Sequence, residues 1–416
     1  MEEQISFLGI VGVPELDYST LAASRRAHQL TNITHRRTVH QEQLGSISEH
    51  TVLSAKTDEL PPFIRILNIL FTNTKTSSSD TGTKSFITNV GALHDTAFSP
   101  KCPILGTGHH FVVYASPFEA SDRDFTTVDG RASNPEVYCF KTPNFISGAN
   151  ASTKEAFREE YYHTTLQELR VLLHPQLRNC ENVISLFGLD FQEDYDDYTV
   201  AWPVLVMEYA EYGTLDTLQE DIRLDTELAR ILLLDTAQGI QALHQCNIIH
   251  GDVKSENVLI CRHHQRRYIA RLADFGLSLI NADVESSNHR LPGGTFLWSA
   301  PEIDDFLSVQ GLRQTDVFSF GLLVWRVLVH NPNPYRLIPP AALDLQTIGT
   351  LNQTVTRAKS HERLVQLVLQ TIEMQGATQI YFRQTIEATL GKDPPSRDLD
   401  RVISVLDLGK ENRLSM

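Results

Sequence analysis

The stretch IIHGDVKSENVLI, residues 248–260, decides how the rest of the chain is read. It places Asp252, Lys254 and Asn257 in the spacing D-x-K-x-x-N, with apolar β-type runs on both sides. Short runs of Ile, Val and Leu of this kind suit strands that enter a core. The polar residues between them therefore stand in a tight loop at the edge of that core. Charge held there without partners is costly, so structure alone accounts poorly for a carboxylate, an ammonium and an amide crowded into one loop. Together they offer a proton acceptor, a positive charge and an oxygen ligand.

Working outward, RLADFGLS (271–278) places Asp274 seventeen residues after Asn257, at the end of another apolar run. Its carboxylate is a hard oxygen donor of the kind magnesium prefers. Upstream, ILGTGHHFVVY (104–114) sets Gly106 and Gly108 in a turn between two strands. Glycines there let backbone amides approach a phosphate without a Cβ in the way, although two spaced glycines also describe an ordinary hairpin. Phe111 follows, and Val113 adds an apolar side chain beyond it. Lys141 ends the apolar run VYCFK, two residues after Cys139. Taken alone, it reads as a strand-end lysine with a buried stem, until the helical stretch 155–173 supplies a carboxylate. Glu168 is the expected partner, because Leu172 lies four residues on along the same face, with Glu160 as the alternative. VLVMEYAEYGTL (204–215) reads as a buried strand that runs into a loop through Met207, Glu208 and Ala210.

Taken together, these segments resemble eukaryotic protein kinases from about residue 100 to 410. Downstream, GGTFLWSAPE (293–302) resembles the end of an activation segment closing on Ala300-Pro301-Glu302. TDVFSFGLLVW (315–325) resembles the central helix of the large lobe, and DPPSRDL holds Arg397. The wording of HGDVKSENVLI and GGTFLWSAPE is also similar to that of uncharacterised fungal kinases. The resemblance implies an α+β bilobal protein kinase fold: a small antiparallel β-sheet lobe with one main helix, then a larger, mainly α-helical lobe.

It also implies ATP and Mg2+ as cofactors, and a role for each residue. Asp252 would accept the proton of a substrate hydroxyl, and Lys254 would contact the transferring phosphate. Asn257 and Asp274 would hold metal. Lys141, paired with Glu168, would hold the triphosphate beneath Gly106 and Gly108. Val113, Cys139, Met207, Leu259 and the backbone near Glu208 and Ala210 would enclose adenine, with Met207 guarding the space behind it. Asp316 would brace the catalytic loop, Arg397 would pair with Glu302, and Thr295 beside Lys254 resembles the serine/threonine-specific pattern. Three departures stand out: Gly251 in place of the arginine of His-Arg-Asp, Phe111 in place of a third glycine, and about a dozen extra residues before Lys141. Without that arginine, a phosphate on the candidate acceptors Ser278, Ser286 or Ser287 loses its main receptor, so activity is expected not to need activation-loop phosphorylation. Two other readings remain: a pseudokinase scaffold or allosteric switch, and a small-molecule kinase of the aminoglycoside or choline type.

Composition narrows the rest. The net charge of −15 argues against a nucleic-acid binder working through a basic surface. The five cysteines, Cys102, Cys139, Cys180, Cys246 and Cys261, form neither a zinc-type pair nor a disulfide framework. They suit reduced thiols in an intracellular, cytoplasmic protein. Acidic residues near Met1 do not suit a signal peptide, and the apolar runs are too short to span a bilayer. Residues 1–95 read as a partly flexible N-terminal extension with no motif, ahead of a kinase domain over 96–410 whose lobes meet near 209–210. The acidic stretch Glu193-Asp194-Tyr195-Asp196-Asp197 reads as a solvated loop. Protein substrates are the expected partners.

Overall fold

The structure, a computed structural model, describes residues 103–117, 137–144, 151–193, 201–280, 289–344, 350–373 and 378–407. The 1–95 extension, Cys102, the extra residues before Lys141, Asp194–Asp197, Ser286 and Ser287 lie outside them.

The first lobe is organised around strand β3 (Val137–Pro143), which follows β1 (Ile104–Thr107) and β2 (Phe111–Pro117). Side chains on a strand alternate between its two faces, and VYCFK uses both. Tyr138 and Phe140 pack with Val204 and Val206 on one side, while Cys139 and Lys141 face the other. With β4 (Leu186–Glu193) and β5 (Ala201–Glu208) the strands form one antiparallel sheet in the order β1-β2-β3-β5-β4. The 204–210 run thus leaves the sheet at Glu208, two residues before Ala210.

Helix α1 (Ala151–Leu172) packs on this sheet through aromatic side chains. Tyr162 stacks on Trp202 at a ring separation of 5.8 Å, and the Tyr161 hydroxyl donates to the Pro203 carbonyl. Buried Leu166, Leu169 and Leu172 continue the same face, so packing fixes the rotation of the helix that carries Glu168.

The second lobe holds α2 (Leu215–Asp221), α3 (Thr226–Gln245), α4 (Val309–Val329), α5 (Leu351–Lys359), α6 (Leu364–Thr371), α7 (Thr378–Thr389) and α8 (Leu399–Asp407). Helix α4 is apolar around most of its circumference, as a core helix should be; Phe318, Phe320, Leu323 and Trp325 are all buried. It begins six residues before the 315–325 motif because the Ser308 side chain caps it, accepting from Gly311 N at 3.2 Å.

Four short strands carry the loops of interest: β6 (Ile248–Ile249) pairs with β9 (Leu279–Ile280), and β7 (Val258–Arg262) with β8 (Tyr268–Leu272). Backbone bonds join this region to the segments leaving the first lobe: Ile184 N to Leu272 O at 2.9 Å, and Tyr212 N to Ile260 O at 3.1 Å. Among the described residues, an antiparallel sheet with one helix is followed by a mainly helical lobe, the α+β bilobal architecture expected from the motifs. Cys139, Cys246 and Cys261 are buried and Cys180 partly so, all as free thiols. No described helix is long and apolar enough to cross a membrane.

Candidate active site

The loop between β6 and β7 is held from below by one buried carboxylate. Asp316 Oδ2 accepts from His250 N at 2.8 Å and from His244 Nε2 at 2.9 Å, and Oδ1 accepts from Gly251 N at 2.9 Å. Gly251 has φ +79, and a Cβ there would stand 2.9 Å from the Leu277 carbonyl. That left-handed conformation favours glycine, so the residue in place of arginine also suits its backbone. The His250 ring reaches Ala273 O at 3.2 Å and lies 5.3 Å from the Phe275 ring, tying the loop to the Asp274 segment.

Within the loop, Asp252 gathers four donors. Its Oδ2 accepts from Lys254 Nζ at 2.6 Å and Asn257 Nδ2 at 3.1 Å, and its Oδ1 from Thr295 N at 3.0 Å and Thr295 Oγ1 at 2.7 Å. A carboxylate has about four acceptor sites, so all of them are filled. Lys254 Nζ also donates to Thr295 Oγ1 at 2.9 Å. Asn257 Nδ2 further donates to the Asp252 carbonyl at 2.9 Å, which leaves the amide oxygen as its remaining polar side-chain atom.

Asp274 is brought to this loop by backbone pairing, since Ala273 N donates to Asn257 O at 2.9 Å. The close approach of α1 holds the segment in place: a Cβ on Gly276 would fall 2.3 Å from the Thr164 side chain. Lys141 Nζ then lies 2.9 Å from Asp274 Oδ1 and 2.7 Å from Glu168 Oε2. Burial alone would push the Lys141 ammonium down, but Asp274 and Glu168 outweigh it and hold its pKa above the usual lysine value. The same ammonium holds Asp274 below the ordinary carboxylate range, against its own burial. Burial pushes the Glu168 carboxyl up, with Lys141 pulling the other way. The ion pair is therefore Lys141–Glu168. Glu160, the alternative, lies exposed 3.1 Å from His110 Nε2.

The wall opposite the loop is apolar. Cys139 and Met207 are direct cross-strand partners, both buried, and Val113 and Leu259 are half-buried against the same core. Burial pushes the Cys139 thiol up to about 12, so it acts here as a small apolar side chain. Glu208 N is occupied by the Ser185 carbonyl at 3.0 Å, and the Glu208 carboxylate pairs with Arg271 at 3.3 Å. Ala210 follows, half-buried, in the turn after β5. Gly106 and Gly108 lie at the β1–β2 turn, with Gly108 N donating to Phe111 O at 2.7 Å. Phe111 is buried, its ring centroid 4.2 Å from Lys141 Nζ and 5.0 Å from the Tyr161 ring. The ring thus covers the lysine.

Further away, Arg397 meets both carboxylate oxygens of Glu302, through NH1 to Oε1 and at 3.2 Å from NH2 to Oε2. Ser278, one of the candidate phosphate acceptors, is 1% exposed, and its hydroxyl donates to His250 O at 3.1 Å. Burial takes it out of reach of a modifying enzyme. His244, His250 and Arg271 carried no role in the sequence-based reading. Only the position of His250 beside Gly-Asp signalled it; the other two become visible once α3 and β8 are packed.

The protein kinase domain family matches residues 141–397, and the chain belongs to that family. The match begins at Lys141, beyond the turn that carries Phe111. The Dictyostelium discoideum "Probable serine/threonine-protein kinase drkC" is 27% identical over 252 residues, which cover 58% of this chain and 30% of that protein. The receptor-interacting serine/threonine-protein kinase 3 of Rattus norvegicus is 36% identical over 154 residues, 36% of this chain and 31% of the relative. The ephrin type-A receptor 3 of Danio rerio is 28% identical over 200 residues, 46% of this chain and 18% of the relative. The aligned segments thus span less than a third of each of these relatives.

Proposed function

We propose that this chain transfers the γ-phosphoryl group of ATP to serine or threonine hydroxyls of protein substrates. The observation that carries the reading is the convergence of two polar clusters, Lys141–Glu168–Asp274 and Asp252–Lys254–Asn257–Thr295, joined through the Ala273–Asn257 backbone bond. Lys141 carries the charge that would hold the triphosphate, and Glu168 keeps it in place. Glu208 would serve adenine through its carbonyl, since its N–H is occupied, and Ala210 through its backbone. The Asp274 carboxylate and Asn257 amide oxygen make an all-oxygen donor set that fits Mg2+, which when bound neutralises charge on the transferring phosphoryl group. Asp252 would take the proton of the incoming hydroxyl, which must first displace one of its four donors. Thr295 Oγ1 is the donor best suited to yield, because its own bond from Lys254 keeps it in place. Lys254 then stands against the transferring phosphate.

Activation-loop phosphorylation is not required in this reading: Gly251 offers a phosphate no side-chain donor, and Ser278 is buried. Full-length protein incubated with γ-labelled ATP and Mg2+ should place label on serine or threonine of itself or a generic protein substrate. Label on tyrosine, or on an aminoglycoside or choline instead, overturns the specificity; ATP binding without transfer makes the chain a pseudokinase.

The Phe111 ring on Lys141 is the feature that favours the pseudokinase reading, because nucleotide must move it aside. Phe111→Ala is expected to tighten ATP binding by roughly tenfold, matching the ~1.4 kcal/mol of a partly desolvated cation–π contact. Titration with a fluorescent ATP analogue measures this, and an unchanged or weaker affinity means that the ring does not cover the phosphate site. Met207→Gly, which opens space opposite Cys139, should let the enzyme use ATP analogues with bulky N6 groups that the wild type rejects. Continued rejection by a folded variant would remove Met207 from the adenine pocket.

A further inference from the structure

The β1–β2 turn and helix α1 bring together three donors that the phosphotransfer reading does not use. His109 Nδ1 lies 2.9 Å from His110 Nε2, which lies 3.1 Å from Glu160 Oε2, and all three atoms fall within 4.8 Å of one another. We propose that His109, His110 and Glu160 form a divalent-cation site, with Zn2+ as the ion, that fastens the turn to the helix.

The proton count motivates it. His110 Nε2 has two neighbours at hydrogen-bond distance, and either tautomer leaves a misfit: its own N–H would have to serve a ring nitrogen and a carboxylate at once, whereas an N–H on His109 Nδ1 would turn the His110 lone pair toward the carboxylate. A cation satisfies all three lone pairs together. Two imidazoles and a carboxylate are a donor set that zinc uses with a fourth, open position for water. Ligand bonds of ~2.0–2.1 Å in tetrahedral geometry space the donors by about 3.3 Å, so the two short separations widen by a few tenths of an ångström while the His109–Glu160 pair, within 4.8 Å, draws together.

The site is also held in shape without the ion. Asn144 grips the turn, donating from N to His110 O at 2.8 Å and from Nδ2 to Gly108 O at 3.0 Å. The His110 ring packs 5.6 Å from Phe157 of α1, and Phe111 packs on Tyr161 one turn further along. A ligand held by such packing, as His110 is, binds metal with a smaller ordering cost. His109 and Glu160 are exposed, which leaves the ion a path from solvent. A bound cation would draw the turn onto the helix that carries Glu168 and keep Phe111 over Lys141.

The test uses full-length protein stripped with a chelator and does not depend on phosphotransfer activity. Co2+ replaces Zn2+ as a spectroscopic probe, its visible absorption reporting nitrogen–oxygen coordination, and Zn2+ then competes it away. One equivalent of Co2+ should bind, Zn2+ should raise the melting temperature, and His109→Ala and Glu160→Gln should each weaken binding about tenfold or more. Both substituted residues are exposed, so these variants should fold. No stoichiometric binding, equal binding by both variants, or a loss confined to one of them would each overturn the three-ligand site.

Discussion

Replacing Asp252 with asparagine is expected to lower phosphotransfer turnover by about 10²- to 10⁴-fold, the usual size of a general-base contribution. Its hydrogen bonds add a second consequence. All four partners of Asp252 are donors: Lys254 Nζ, Asn257 Nδ2, and the backbone N–H and hydroxyl of Thr295. An asparagine must aim its own NH2 at one pair of them, whichever way it flips. The loop should relax, and the variant should lose about 1–3 kcal/mol of stability, the cost of leaving buried polar groups unsatisfied. On the proposed reading ATP affinity rests on Lys141 and the apolar wall around Cys139 and Met207, so it should stay within about threefold of wild type, because none of those groups touches Asp252. Single-turnover kinetics, denaturant melts and nucleotide titration read the three quantities separately. Turnover within about threefold of wild type at unchanged ATP affinity would remove Asp252 from the chemistry.

The second large effect is on stability alone. Arg397→Ala should cost about 3–5 kcal/mol, the range for breaking a buried ion pair by removing one partner. Arg397 is 2% exposed and satisfies several groups at once. Besides Glu302, NH1 donates to Gln314 O and Nε to Gly391 O, each at 3.0 Å, and the guanidinium lies 4.7 Å over the Phe318 ring. Alanine strands the largely buried Glu302 carboxylate and two carbonyls and leaves a void beside α4. Against a typical margin of 5–15 kcal/mol, such a loss removes about a fifth of the stability or more. The double variant Glu302→Gln/Arg397→Met should lose less than the single one, since it restores volume and buries no lone charge. Urea denaturation measures both; a single-variant loss below about 1 kcal/mol would mean that the pair is solvent-screened.

The loop that holds Asp252, Lys254 and Asn257 was legible because its groups are close in sequence. Asp252, Lys254 and Asn257 lie within six residues, and apolar runs on either side mark the strands that hold them. The same holds for Asp274, two strands later, and for VYCFK, whose short run of apolar residues predicts a strand. The helices were legible from periodicity over their interiors, while their ends depended on caps such as Ser308.

Long-range pairings required the fold. Glu160 and Glu168 sit on one helix eight residues apart, and spacing favoured neither decisively as the partner of Lys141. The aromatic contacts of Phe157, Tyr161 and Tyr162 set the rotation of α1, which turns Glu168 inward and leaves Glu160 beside the histidines. Phe111 read as a missing glycine, and only packing against Tyr161 aims its ring at Lys141. Asp316 reaches His244 and His250 over 72 and 66 residues of chain; the family resemblance implied its brace on the loop, but nothing in local spacing points to His244. Sequence by itself determined which groups this protein offers and where short-range order places them, because backbone period and burial act over a few residues. Beyond the pairs that the family resemblance implied, tertiary structure alone decided which distant groups meet, because a side chain's direction is set by what its element packs against.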